Sequence, residues 1–410
     1  MRHAAPDGSP PVPGGLTRRQ LLVALGRGAG AAAVLSWLAG CAPGELDGGP
    51  TPSGPTTIRV ASLPLAVGGG AEGPTLARFR AETGVGVDHR EVVGDPDAFV
   101  RGLLPRLEAG QPTGWDVVVL PTGDALATLL DRGLLEELPP DRPNFRAHAA
   151  GFVRDPSLDP GNRYTMALRA EATGIGSNPR RTGGRPVRRL RDLFGGAFAG
   201  AVGMPADPLE LGNVGLLAAG ADPPTATAGE WGAAARLLRG QRDRGVVRGY
   251  YGRREAVAAL AAGEVAAAVV RSADLFQANP TGDPEGLGFA YPEEGTLLWI
   301  DVMAIPAGSP HVAEAARFMD FLYRPDVAAL LAASGGHVSP VPASREELRA
   351  LAEATADPEE RAALEAAAES PLVYPGPEAA RGFVDPAIPL EHREAWEALF
   401  RSIATGGARG

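Results

Sequence analysis

Apolar positions between residues 58 and 132 follow two alternating rhythms. Ile58–Ser62 (IRVAS) and Val85–Val93 are short strand-like runs, and Trp115–Leu120 (WDVVVL) is an apolar run, broken only by Asp116, of the kind that fills a central parallel strand. Between them, Pro74–Glu82 (PTLARFRAE) and Asp97–Ala109 repeat apolar residues at helical spacing, with Gly84 as a stop. Asp124–Arg132 adds a helix that Gly133 ends. This βαβαβ succession predicts a doubly wound parallel sheet. A second region repeats it: Ala201–Met204 as a strand, helices around Leu209–Ala218 and Glu230–Arg239, then Ala256–Ala262 leading into a strand at Val265–Val270. The pattern predicts an α/β protein of two lobes with a cleft between them. At 410 residues the chain is long enough for two such cores.

One strand breaks its own pattern. From Leu297 to Ile305 (LLWIDVMAI) every residue is apolar except Asp301. Strand side chains alternate between faces, so Trp299, Asp301 and Met303 share one face while Leu298, Ile300 and Val302 share the other. A carboxylate in such a strand needs a partner, supplied either by the fold or by a ligand. Beyond it, His311–Tyr323 places Val312, Ala316, Met319 and Tyr323 on one helical face. Pro325–Ala333 makes another helix, closed by Gly335-Gly336. Ser344 with Glu347 forms a capping-box pattern ahead of a charged, alanine-rich helix.

The first forty residues read as an export signal rather than part of the fold. Thr17-Arg18-Arg19-Gln20 precedes an apolar run from Val23 to Leu38, and small residues follow. The paired arginines add a twin-arginine reading. Leu38-Ala39-Gly40-Cys41 resembles the lipobox of bacterial lipoproteins, which implies lipidation of Cys41, the only cysteine in the chain. Ala42–Thr56 (APGELDGGPTPSGPT) is a Gly/Pro/Ser/Thr tether. These features place the protein outside the cytoplasm, held to a membrane by a lipid and a leash.

Charge narrows the partners. Formal net charge is -10, and every basic residue is arginine. An acidic chain without a basic cluster lacks the positive surface that nucleic-acid phosphates require, whereas a cationic ligand fits it. The histidines and the single cysteine have no zinc-like spacing, so no metal is expected. There is no G-x-S-x-G elbow and no P-loop, so no catalytic residues are assigned. Two rival readings stay open on residues alone. Gly68-Gly69-Gly70-Ala71-Glu72-Gly73 satisfies G-x-G-x-x-G, with Glu91 downstream as a ribose ligand, the pattern of an exported NAD(P)-dependent oxidoreductase. Tyr250-Tyr251 suggests the pair that ligates ferric ion in receptors of two-lobed fold, but such a pair follows the segment equivalent to GEVAAAV, whereas here it precedes it and Arg271 occupies the later place.

Tyr291–Pro342 (YPEEGTLLWIDVMAIPAGSPHVAEAARFMDFLYRPDVAALLAASGGHVSPVP) resembles the spermidine/putrescine-binding proteins, the solute receptors of polyamine ABC transporters. WDVVVLPT, GLLEELPP, DPGNRYTMALRAEATGIGSN and LAAGEVAAAV match earlier parts of that family in the same order. The resemblance implies a two-lobed periplasmic-binding-protein-like fold, no cofactor, and a membrane-embedded ABC permease as partner. It assigns 57–178 plus 299–345 to lobe 1 and 179–298 plus 346–410 to lobe 2. It also implies site residues. Asp301 would meet an amine of the ligand and Trp299 would lie along its methylene chain, through charge-assisted hydrogen bonds and cation–π attraction. Asp207 and Glu210 would supply acids from the other lobe, unless they cap the helix that follows them. Thr122, Glu171 and His337 complete the set. On this reading Asp301 lacks a partner until ligand arrives. Several family aromatics are replaced: LPLAVGGGAEGP carries none, Ala170 is nearest to an expected tryptophan, Arg271 or an aliphatic neighbour follows GEVAAA, and His337 stands for a tyrosine.

Overall fold

The computed structural model describes residues 56–64, 73–278, 286–386 and 393–406. The export-type segment, Cys41, the tether as far as Pro55 and Gly68–Glu72 of the glycine stretch lie outside the described residues. Residues 55–410 form one compact unit. Among the described residues, no helix is long and apolar enough to cross a membrane.

The first half begins with β1 (Thr57–Ala61), α1 (Pro74–Thr83), β2 (Gly86–Arg90), α2 (Pro96–Glu108), β3 (Val117–Pro121) and α3 (Asp124–Asp131). β1 pairs in parallel with β2 on one side and β3 on the other, as the βαβαβ rhythm predicts. Local chemistry sets the helix ends. Asp95 caps α2 by accepting the Ala98 N–H, with Pro96 in the first turn, where its missing N–H costs nothing. Gly84 ends α1 at φ 73°, a left-handed conformation that costs a residue without Cβ little.

Next comes β4 (Thr165–Ser177), a 13-residue strand. The second half adds β5 (Val202–Pro205), α4 (Pro208–Ala219), α5 (Ala228–Asp243), β6 (Val247–Tyr251), α6 (Arg253–Ala261), β7 (Ala267–Arg271), α7 (Ser272–Ala278) and β8 (Gly288–Ala290). The chain then runs through β9 (Thr296–Ala304), α8 (Val312–Phe321), α9 (Pro325–Gly335), α10 (Ser344–Ala354), α11 (Pro358–Glu369), β10 (Phe383–Val384) and α12 (Arg393–Thr405). The strand order is β2-β1-β3-β9-β4-β7-β5-β6, with β8 added to β4 and β10 to β9.

Two strands carry the sheet from one lobe to the other. β4 and β9 are antiparallel neighbours, and each passes from one hydrophobic core to the next. On β4, Ala172 belongs to the core around Phe79, Leu126 and Phe318, while Ile175 belongs to the core around Met204, Trp231 and Phe400. On β9 the same change falls between Leu298 and Leu297. The lobes therefore meet at Thr173-Gly174 and Leu297-Leu298. Gly174 is required there by space: a Cβ would stand 2.3 Å from the Phe289 ring and 2.7 Å from the Ala290 carbonyl oxygen. In the second core, the faces of α4 pack against α5 and α12, burying Leu211, Val214, Leu217, Leu238 and Phe400. Each such side chain contributes roughly 1.5–3 kcal/mol of transfer free energy. Leu348 of α10 and Leu364 of α11 pack on Ala329 and Ala332 of α9, in a cluster separate from the second-lobe core.

The capping box read at Ser344 does not form. Ala343 is the N-cap, and the Ser344 side chain is buried. Its hydroxyl donates to the Val341 carbonyl at 2.6 Å and meets the Tyr374 hydroxyl at 2.9 Å. The interior took the hydroxyl that the helix end was expected to use.

Candidate ligand cleft

Where β4, β9 and β7 run side by side, one face of the sheet carries a continuous polar stripe. Arg169, Glu171 and Thr173 alternate along β4 and point the same way, since strand side chains repeat every second residue. Register places Arg169 opposite Asp301, Glu171 opposite Trp299, and Thr173 opposite Arg271. An irregularity between Ala167 and Arg169 sets this register. On β9, Trp299 and Asp301 are the part-exposed positions of an otherwise buried strand, the alternation expected from sequence.

Every carboxylate on this stripe is already paired. Asp301 Oδ2 accepts from Arg169 Nε at 2.6 Å. Glu171 accepts from Arg253 Nη2 at 2.6 Å and Arg271 Nη1 at 3.4 Å, and His337 Nε2 lies 3.2 Å away. Arg253 also reaches Asp274 at 2.7 Å. The buried Glu210 accepts from Arg271 Nε at 3.0 Å and from the Thr173 hydroxyl at 2.6 Å. That hydroxyl in turn accepts from the Trp299 indole N–H at 2.9 Å. Finally, the Arg271 guanidinium sits over the Trp299 ring, 4.4 Å from its centroid, well within cation–π range.

Electrostatics follow the pairing. Burial pushes the Glu171 carboxyl up, but the His337 hydrogen bond and the charges of Arg271 and Arg253 outweigh it, holding the group far below the usual carboxylate range. Burial alone would lower the Arg271 pKa, and the charges of Glu210 and Glu171 raise it instead. Asp207 behaves differently. Desolvation in the cleft raises its pKa although the residue reaches solvent, and its carboxylate caps α4 by accepting the Glu210 N–H at 2.7 Å. A cavity of about 120 Å³ opens beside these groups, lined by Asp207, Glu210, Tyr251, Arg253 and Arg271 among others.

The fold thus brings together five of the residues expected from sequence: Trp299, Asp301, Glu171, Glu210 and His337. Asp207 stands at the cavity wall in the capping position. Thr122 follows β3 and lines a different cavity, with Ile300 and Val302. Its N–H donates to the Ile300 carbonyl at 2.7 Å and its hydroxyl accepts from the Ile300 N–H at 3.4 Å, while Gly123 is the N-cap of α3. The expectation that Asp301 waits unpartnered is overturned, because the cross-strand Arg169 provides the charge. Sequence reading missed Arg169, Thr173 and Arg253. The polar-apolar alternation in ALRAEAT was the available signal for the first two, and no local pattern marks Arg253. Among the described residues, no group of three or more His, Cys, Asp or Glu side chains is placed to hold a metal ion.

A cleft between two α/β lobes, bridged by a pair of long strands and lined with charges and one indole, defines a two-lobed solute-binding protein. Residues 75–363 match the bacterial extracellular solute-binding protein family, and the chain belongs to it. Relatives bear out the resemblance read from sequence. A putrescine/cadaverine-binding protein of Pseudomonas aeruginosa is 28% identical over 259 residues, covering 60% of this chain and 70% of that protein. A putrescine-binding periplasmic protein of Escherichia coli is 29% identical over 280 residues, covering 62% and 71%. The fold matches that of a spermidine/putrescine ABC transporter substrate-binding protein from Streptococcus pneumoniae with a TM-score of 0.68, 18% identity, and coverage of 86% of this chain and 99% of that one.

Proposed function

We propose that this chain is an extracytoplasmic receptor that captures a small, polyamine-like cation and delivers it to a membrane-embedded ABC permease. One observation carries the ligand class: the cleft already accommodates an organic cation, the Arg271 guanidinium, stacked on Trp299 and paired with Glu171 and Glu210. An alkylammonium makes the same charge-assisted hydrogen bonds to carboxylates and the same contact with an indole face. The names of the relatives support this chemistry. In the membrane-proximal part of the proposal, Cys41 carries a lipid and residues 42–56 act as the leash, which mass spectrometry of the exported protein tests directly. Binding carries no chemical step, and the protein works by closing and opening its lobes around the solute.

The test of the ligand class is a calorimetric screen of di- and polyamines, amino acids, sugars and NAD. Amines should bind, with affinity that falls as ionic strength rises, because the attraction is partly screened. Selective binding of a sugar or an anion would remove the cationic ligand and leave the receptor. Binding of NAD would favour the oxidoreductase reading of the glycine stretch.

A further inference from the structure

Arg271 lays its guanidinium over the face of Trp299. Its side chain is 15% exposed and bridges Glu171 of β4 to Glu210 of α4. The other arginines of the stripe are committed elsewhere, Arg169 to Asp301 and Arg253 to Glu171 and Asp274. Arg271 is also the arginine whose departure leaves each carboxylate a hydrogen-bond partner, with Glu210 then lacking a counter-charge until a ligand cation supplies one. Without it, Glu171 keeps Arg253 and His337, and Glu210 keeps the Thr173 hydroxyl. The cavity beside the guanidinium gives it room to swing, and Asp207 on the cavity wall feels its charge.

We infer that Arg271 is a tethered competitor for the cation site and a specificity-determining residue of this receptor. The inference rests on the cationic-ligand reading proposed above. A tethered group competes at an effective concentration in the millimolar range, so an incoming cation must outbind it rather than fill an empty site. A monoamine offers one charge for one charge and gains little. A diamine can displace the guanidinium with one amine and place the other near Asp207, so the arginine biases the cleft toward ligands with two or more amines.

The test titrates 1,4-diaminobutane and butylamine into the wild-type protein, Arg271→Met and Arg271→Lys. Methionine keeps an apolar stem on the indole and removes the charge, whereas lysine keeps a tethered cation. Arg271→Met should bind butylamine about tenfold or more tightly than wild type, with a smaller preference for the diamine, and Arg271→Lys should resemble wild type. If Arg271→Met does not fold, Arg271→Gln, which can still donate to Glu210, takes its place. A complementary readout is thermal: butylamine should raise the melting temperature of the charge-removed variant more than that of wild type. If wild type binds amines and the folded variant binds them no more tightly, Arg271 is a structural crosslink and the inference falls while the receptor reading stands. If no amine binds any of the three proteins, the cationic-ligand reading itself falls.

Discussion

Glu171→Gln removes the carboxylate on which the array converges and leaves its shape in place. The wild-type group faces Arg253 at 2.6 Å, His337 at 3.2 Å and Arg271 at 3.4 Å; its side chain is 13% exposed and Arg253 is 43% exposed, so solvent screens the Arg253 contact more than the other two. Removing one member of a buried charge pair costs about 3–5 kcal/mol. Here Arg253 keeps Asp274 and Arg271 keeps Glu210, so the loss should sit at the low end, about 3 kcal/mol. For a unit of this size the unfolding entropy converts that into a melting temperature lower by roughly 4 °C. The pH dependence has a definite sign. The folded-state pKa of Glu171 is depressed relative to the unfolded value of about 4.3, so its stabilisation is complete above that value and is lost as pH falls through the folded-state pKa. Thermal unfolding followed by circular dichroism should therefore show a gap between wild type and variant at about pH 6 that narrows below about pH 4. Equal melting temperatures at neutral pH, or a gap that does not close in acid, would refute the assignment of Glu171 as the charged centre of the cleft.

Asp301→Asn breaks the cross-strand pair with Arg169, whose two side chains are 15% and 19% exposed, and should lower stability by about 2 kcal/mol even without ligand. A denaturant midpoint unchanged from wild type would show that the pair contributes nothing to the empty protein. Thr173→Val removes the hydroxyl that links Trp299 Nε1 to Glu210, leaving both short of a partner, and should cost about 1–3 kcal/mol together with weaker amine binding. Wild-type affinity in that variant would show that the orientation of the indole is set by packing alone.

The architecture was legible because β3 and β9 are nearly continuous apolar runs, because β1 alternates exposed and buried residues, and because helices such as α1 end at glycines that can adopt left-handed backbone. β4 was harder to see. Its central segment, ALRAEATG, alternates small and charged residues instead of repeating Val and Ile, and its strand character comes from pairing with β9 and β7. The acids of the cleft could be listed from sequence, but their partners could not. Arg169 meets Asp301 across 132 residues of chain, and Arg253 meets Glu171 only because α6 starts beside β4's polar face. Register and lobe packing, which no local window contains, decide which arginine a carboxylate finds.

The central claim is that the stripe between β4, β9 and β7 is where a cation is bound. A crystal structure with the tightest-binding amine of the screen tests it most directly. The amine nitrogen should lie about 3 Å from a carboxylate oxygen of Glu171 or Glu210 and against the face of Trp299, with the Arg271 guanidinium moved off the indole. A ligand bound elsewhere, or an Arg271 that keeps its stack on Trp299 in the complex, would contradict the account.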